Sequence, residues 1–133
     1  MRRTGFLIGA MLTALLMVSG VALAKGWIGT PKNERHTGNE RGDVFSARGG
    51  NDEIYGQPGG DSISGSEGDD DVYGGNGADN LNGGDGIDEL SGGNNNDTID
   101  ALGGGWDSIN CGHGSDDPVT ADEVDGVNIN DRG

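Results

Sequence analysis

The chain has 133 residues, 23 of them acidic and 8 basic, for a net charge of −15 at neutral pH. That balance excludes nucleic acid and anionic lipid surfaces, which are held through Lys and Arg, and points to cations as partners. With 29 glycines and aromatics at 5%, an ordinary globular core is excluded too, because burial alone does not offset the entropy of ordering such a chain.

In chain order, the first feature is an export signal. Arg2 and Arg3 give a basic start, Phe6 to Val18 an apolar run, and Ala22-Leu23-Ala24 small residues at the two positions a signal peptidase reads. The run is shorter than the ~20 apolar residues a spanning helix needs. A signal peptide is therefore expected over 1–24, with cleavage before Lys25, a secreted extracellular product and no membrane insertion after cleavage. No cysteine follows the run, so lipid attachment is not expected.

From there a nine-residue rhythm organises the chain. Over 25–46 it is degenerate. Glu34 and Asp43 hold the acid position, Lys32 and Arg41 replace a turn glycine, and His36 and Phe45 fill an aliphatic slot. Terminal repeats are commonly atypical, and these two units read as a cap in which basic side chains replace a cation.

Residues 47–100 carry the full pattern. Asp52, Asp61, Asp70, Asp79, Asp88 and Asp97 are each nine apart, and two residues after each comes an aliphatic: Ile54, Ile63, Val72, Leu81, Leu90 and Ile99. Units begin at Ala47, Gly56, Gly65, Gly74, Gly83 and Gly92. The fourth position is glycine in each unit except for Asn95, and both residue types tolerate a left-handed backbone. Low hydrophobicity with high charge alone would predict disorder, but a flexible linker has no reason to keep glycine in one column. The end of each unit reads as a short strand, with the eighth side chain inward and the seventh and ninth in solvent.

Residues 101–133 are degenerate again. A ten-residue step leads to Asp107 and Ile109, read as an insertion near Ala101 that restarts the count at Leu102. Nine further on lies Asp116, although Val119 favours Asp117 as the repeat acid. Cys111, the only cysteine, takes a turn glycine's place and reads as structural. Ala121, Asp122, Val124, Asp125 and Val127 form a closing segment.

The unit Gly74-Gly75-Asn76-Gly77-Ala78-Asp79-Asn80-Leu81-Asn82 matches G-G-x-G-x-D-x-U-x, a known signature of calcium-binding β-helix repeats, so the identification is a match and not a derivation. Residues 47–100 resemble the repeats-in-toxin, or haemolysin-type, calcium-binding family. The resemblance implies an all-β fold, a right-handed parallel β-roll in which two units make one coil. It places Ca2+ in the turns between coils, on the sixth-position Asp and backbone carbonyls. The implied ligands are Asp52, Asp61, Asp70, Asp79, Asp88, Asp97, Asp107 and Asp116. The ions would lie between Asp52/Asp70, Asp61/Asp79, Asp70/Asp88 and Asp79/Asp97. The inward columns would be Ile54/Val72/Leu90 and Phe45/Ile63/Leu81/Ile99. Calcium suits this chemistry, since it takes about six to eight hard oxygens in flexible geometry. His36, His113 and Cys111 have no zinc spacing, and no EF-hand loop is present.

The function read from the sequence is a secreted calcium-binding protein whose roll folds on meeting extracellular Ca2+. Its role would be structural or interactive. The alternative is an adhesion or ligand-binding platform for an extracellular protein or a glycan, with Tyr55 and Tyr73 one coil apart. Catalysis is not expected, because H-E-x-x-H, G-x-S-x-G and any supported Cys-His pair are absent. In the resembled family, export often uses a one-step exporter and a C-terminal address; an N-terminal signal implies the general secretory route. The sequence leaves the oligomeric state open.

Overall fold

The computed structural model describes residues 24–123 and 125–128. The expected signal peptide, apart from Ala24, and Val124 of the expected closing segment lie outside the described residues. Within them the chain forms twelve strands and no helix: β1 (Gly26–Ile28), β2 (Arg35–Thr37), β3 (Val44–Ser46), β4 (Glu53–Pro58), β5 (Ser62–Glu67), β6 (Asp71–Asn76), β7 (Asn80–Asp85), β8 (Glu89–Asn94), β9 (Thr98–Ala101), β10 (Ser108–His113), β11 (Val119–Ala121) and β12 (Gly126–Asn128). Odd-numbered strands make one six-stranded sheet and even-numbered strands the other. Every pairing is parallel. Each coil therefore takes two nonapeptides, one strand in each sheet, and the expected β-roll is what forms.

The register follows from the apolar column. Ile54 pairs with Val72, Val72 with Leu90, and Leu90 with Ile109. In the facing sheet Phe45, Ile63, Leu81 and Ile99 pair in succession. A one-residue slip would turn every one of these side chains outward, so a single aliphatic per unit is enough to set the stacking. Both columns are buried.

The strands are longer than expected. β5 to β8 run through the first three positions of the following unit, and burial falls on the eighth and the first positions alike. The first position is thus a second inward column, holding Ala47, Ala101 and Cys111 beside the glycines, with all three fully buried. Two sequence-based frames change. Ala101 keeps the first position and pairs with Ala121, so the extra residue falls after it, within 102–106. Cys111 lies inside β10 and not in a turn. Glycine carries no side chain to mark the alternation, which is why the column was invisible.

The turns need left-handed backbone at two positions. The fourth position has φ of 131° at Gly77 and 82° at Asn95, the residue that replaces glycine. The second position needs it as well, and there three non-glycine residues accept it: Arg48 (78°), Gln57 (81°) and Ser66 (88°). Each costs on the order of 1–2 kcal/mol. They persist because the ladder on either side over-determines the turn.

The N-terminal coil is closed by aromatics. Trp27 pairs with Phe45 and His36 with Ile54. Trp27 and His36 stack at 4.4 Å and 7°, and both meet Phe45 edge-on, at 6.4 and 5.1 Å. Burial, with Lys25 nearby, pushes the His36 imidazole below its usual pKa, and Asp43 and Glu34 oppose that only in part. A neutral ring is what an aliphatic slot accepts.

A side chain at Gly77 would be strained by its φ and would run into the Gly59 carbonyl of the preceding coil. Gly77→Ala is expected to lose about 1–3 kcal/mol of stability in urea unfolding with calcium present. Gly26→Ala, where an added Cβ meets nothing within 4 Å, is the control and should change little. Equal losses at both positions would contradict the stacking of these turns.

Candidate metal centre

Each turn ends on the sixth-position acid, directly before a strand. Asp43, Asp52, Asp61, Asp70, Asp79, Asp88, Asp97 and Asp107 are all at most 3% exposed. Aspartate is a short residue, and its carboxylate tucks back under the turn of the preceding coil. There it accepts the main-chain N–H of the acid one coil earlier. On one edge Asp52 N donates to Asp70 Oδ1 (2.8 Å), Asp70 N to Asp88 (2.8 Å) and Asp88 N to Asp107 (2.9 Å). On the other, Asp43 N donates to Asp61 (2.6 Å), Asp61 N to Asp79 (2.8 Å), Asp79 N to Asp97 (2.9 Å) and Asp97 N to Asp117 (2.9 Å). The four expected pairs are successive rungs of these two ladders.

The second carboxylate oxygen has no such partner. Oδ2 of Asp52, Asp61, Asp70, Asp79, Asp88, Asp97, Asp107 and Asp117 is buried without a hydrogen bond. Three of the outermost acids differ. Asp43 accepts Lys25 N (2.6 Å), Asn39 Nδ2 (2.9 Å) and Asn39 N (2.7 Å), so both its oxygens are satisfied. Glu34 accepts Thr30 N (2.7 Å) and Thr30 Oγ1 (3.0 Å). Asp125 accepts Asp107 N (3.1 Å) and Asp122 N (2.6 Å). Glu34, Asp43 and Asp125 are satisfied by protein, whereas the interior acids, and Asp117 at the C-terminal end of its ladder, are left half-satisfied. The nine-residue spacing carries no sign of this difference, because the donors at the ends come from local turns.

One expected site residue is corrected. Asp116, reached by counting nine from Asp107, is exposed, and Asp117 takes the rung. Val119 pairs with Ile99, so the acid two residues before the inward side chain is Asp117. A second extra residue precedes it, and the rungs at this end stretch from 18 residues to 19 and 20.

Stacking buried carboxylates at the coil spacing of ~4.8 Å has an electrostatic consequence. Burial pushes Asp70 up to about 7, and Asp79, Asp88 and Asp97 each to about 6. Asp52, Asp61 and Asp107 are raised for the same cause. The ladder hydrogen bond pulls each the other way, and a neighbouring carboxylate adds to the rise. Burial thus penalises the bare carboxylates and favours pairing each with a proton or a cation.

The donor set decides which cation. A Cβ added to Gly74 would lie 2.5 Å from Asp79 Oδ2 and 2.6 Å from the Gly92 carbonyl oxygen, and one on Gly92 would lie 2.5 Å from Asp97 Oδ2. The inward glycines therefore leave room for the carboxylates and for the carbonyls of the next coil. Among the described residues no three His, Cys, Asp or Glu side chains gather into a compact metal cluster. An ion on a ladder oxygen must take most of its ligands from the backbone, and the carbonyls of Gly59, Gly68 and Gly75 face the glycines of the next coil. All-oxygen ligation rich in carbonyls fits calcium; magnesium keeps its waters, and zinc wants nitrogen or sulfur.

Comparison with known proteins gives one match. The model of the RTX calcium-binding nonapeptide repeat (4 copies) matches residues 37–72 and 73–105, more than half of the chain. No curated protein and no solved structure matches it.

The raised carboxyls set a pH dependence. A group whose folded pKa lies above its unfolded value of 3.8 favours the folded chain while protonated. That stability is complete below about pH 4 and is lost as pH rises through about 6 to 7. In chelator, β content by circular dichroism is expected to increase on acidification from about pH 7.5 to about pH 4.5. A chelated chain whose spectrum is flat over that window, or loses β signal toward acid, would contradict the ladder electrostatics.

Proposed function

The chain belongs to the RTX calcium-binding nonapeptide repeat family, and from that membership we propose that it is a secreted, non-catalytic protein whose β-roll folds when it binds extracellular calcium. The observation that carries this is the set of buried, half-satisfied carboxylates at Asp52, Asp61, Asp70, Asp79, Asp88, Asp97, Asp107 and Asp117. A buried charge without a partner costs several kcal/mol, and glycine-rich turns add a large ordering entropy. Calcium supplies positive charge and accepts both carboxylate and carbonyl oxygens. Binding free energy then becomes folding free energy.

The residues named would hold the ions, together with turn carbonyls of adjacent coils. Asp117 replaces Asp116 in that set. The pairs Asp52/Asp70, Asp61/Asp79, Asp70/Asp88 and Asp79/Asp97 remain the best-supported positions, because each lies between full turns on both sides. Affinities of extracellular calcium modules fall at about 10⁻⁴ to 10⁻³ M. Such a chain stays open at cytosolic calcium, passes the general secretory route unfolded, and folds outside.

A second reading, a platform for a glycan or a partner protein, draws on one observation. Tyr55 and Tyr73 stack at 4.8 Å and 13° on the outer face of β4 and β6. Arg35 lies 5.1 Å from the Tyr55 ring centroid, so much of the aromatic surface is used within the protein. The calcium reading rests on eight atoms and the platform on one ring pair.

Circular dichroism of residues 25–133 tests the first reading. A coil spectrum is expected in chelator near neutral pH, with a cooperative gain of β signal as calcium rises to about 10 mM and no such gain with equimolar magnesium. A chain that stays disordered at that calcium level would sink the proposal. Asp79→Asn removes an interior ligand and should raise the calcium midpoint several-fold, whereas Asp125→Asn, at an acid satisfied by protein, should move it less. Equal shifts would mean that the half-satisfied oxygens do not mark the ion sites.

A further inference from the structure

Lys25 heads one of the two ladders. It stands 18 residues before Asp43, the place held by an acid in every later coil of that edge, and its main-chain nitrogen lies 2.6 Å from Asp43 Oδ1. The next rung, Asp43 N to Asp61 Oδ1, has the same length of 2.6 Å. The Lys25 side chain does not enter the ladder; Nζ reaches the Thr37 carbonyl at 3.1 Å. Asp43 is 1% exposed, and Asn39 satisfies its other oxygen through its main-chain N–H at 2.7 Å. Ala24 and Lys25 are themselves exposed, just ahead of β1.

We propose that hydrolysis of the Ala24–Lys25 bond turns this amide into an α-ammonium that pairs with the buried Asp43 carboxylate, so that the new N-terminus, and not a calcium ion, closes the head of the ladder. The inference rests on the export and calcium reading above. A signal-peptidase-class endoprotease supplies the cut and water is the co-reactant. The C–N bond breaks, a C–O bond forms, Ala24 leaves as a carboxylate, and the two protons of the water end on the Lys25 nitrogen. The main-chain N–H offers Asp43 one neutral donor. The ammonium offers up to three donors and a full charge at the same place, and charge-assisted hydrogen bonds are roughly twice as strong as neutral ones. The other ladder begins at Glu34, which Thr30 satisfies locally. The first coil then needs no ion on either edge, and processing makes the cut chain more foldable than its precursor.

The test begins with the full chain exported from a secreting host. N-terminal sequencing of the product is expected to start at Lys25, and any other start overturns the inference. A second chain, with the cleavage site moved so that Ala24 stays attached, restores the neutral amide with one added residue. The Lys25 product is expected to fold at a calcium midpoint about three- to tenfold lower and to melt higher. In an Asp43→Asn background the two chains should coincide, because the partner of the ammonium is gone. If both chains respond to calcium with the same midpoint and melting temperature, this inference fails and the calcium reading stands. If neither responds to calcium while the Lys25 product still melts higher, the calcium reading fails and the terminal ion pair stands.

Discussion

One hydrogen bond governs this fold: the main-chain N–H of each sixth-position acid donating to the carboxylate of the acid one coil later. It draws the carboxylate under the turn, out of water, and spends only one of its two oxygens. What surrounds the ladder follows from that. The first-position residue must be small, because a side chain there meets the carboxylate, as at Gly74 and Gly92. The turn must fold tightly enough to bring successive acids into line, which forces left-handed backbone even on Arg48, Gln57 and Ser66. The remaining oxygen must find a proton or a metal ion. The narrow apolar column sets the register, but it is too small to outweigh these demands alone.

Much of this was legible in the sequence because it is written in side chains. A nine-residue period gave the acids and one aliphatic two places after each, and the family resemblance added two units per coil and so both inward columns, from Phe45 to Ile99 and from Ile54 to Leu90. Asn95 in place of glycine pointed to the left-handed turn that it adopts. The same resemblance supplied the ligand role of the acids. What stayed hidden is written in the backbone or depends on distant partners. The first-position column is mostly glycine, and glycine looks the same inward or outward. The second slip lay between adjacent identical residues, Asp116 and Asp117, where only the spacing to Val119 separated them. Whether an acid is satisfied depended on donors such as Asn39, Thr30 and Asp122, which no periodicity predicts.

The division between interior and end acids gives the calcium reading its shape. A chain of uniform repeats would ask for an ion at every rung. Here protein groups and an aromatic stack of Trp27, His36 and Phe45 close the N-terminal end, and Asp122 closes the ladder that ends at Asp125, so in the proposed reading the metal-dependent rungs run from Asp52 to Asp117. If each ion serves two coils, as proposed, a coil without its neighbour holds no site, and linkage would make folding steep in calcium.

The ladder bonds also have a direction. The donor always precedes its acceptor in the chain, Asp52 before Asp70 and Asp70 before Asp88. For a polypeptide entering a new compartment N-terminus first, as the proposed export requires, each arriving acid meets an amide already in place. Assembly can keep pace with arrival. Under the proposed export, the finished part would then hinder the chain from slipping backward, and the geometry of a single hydrogen bond would give the process a one-way character.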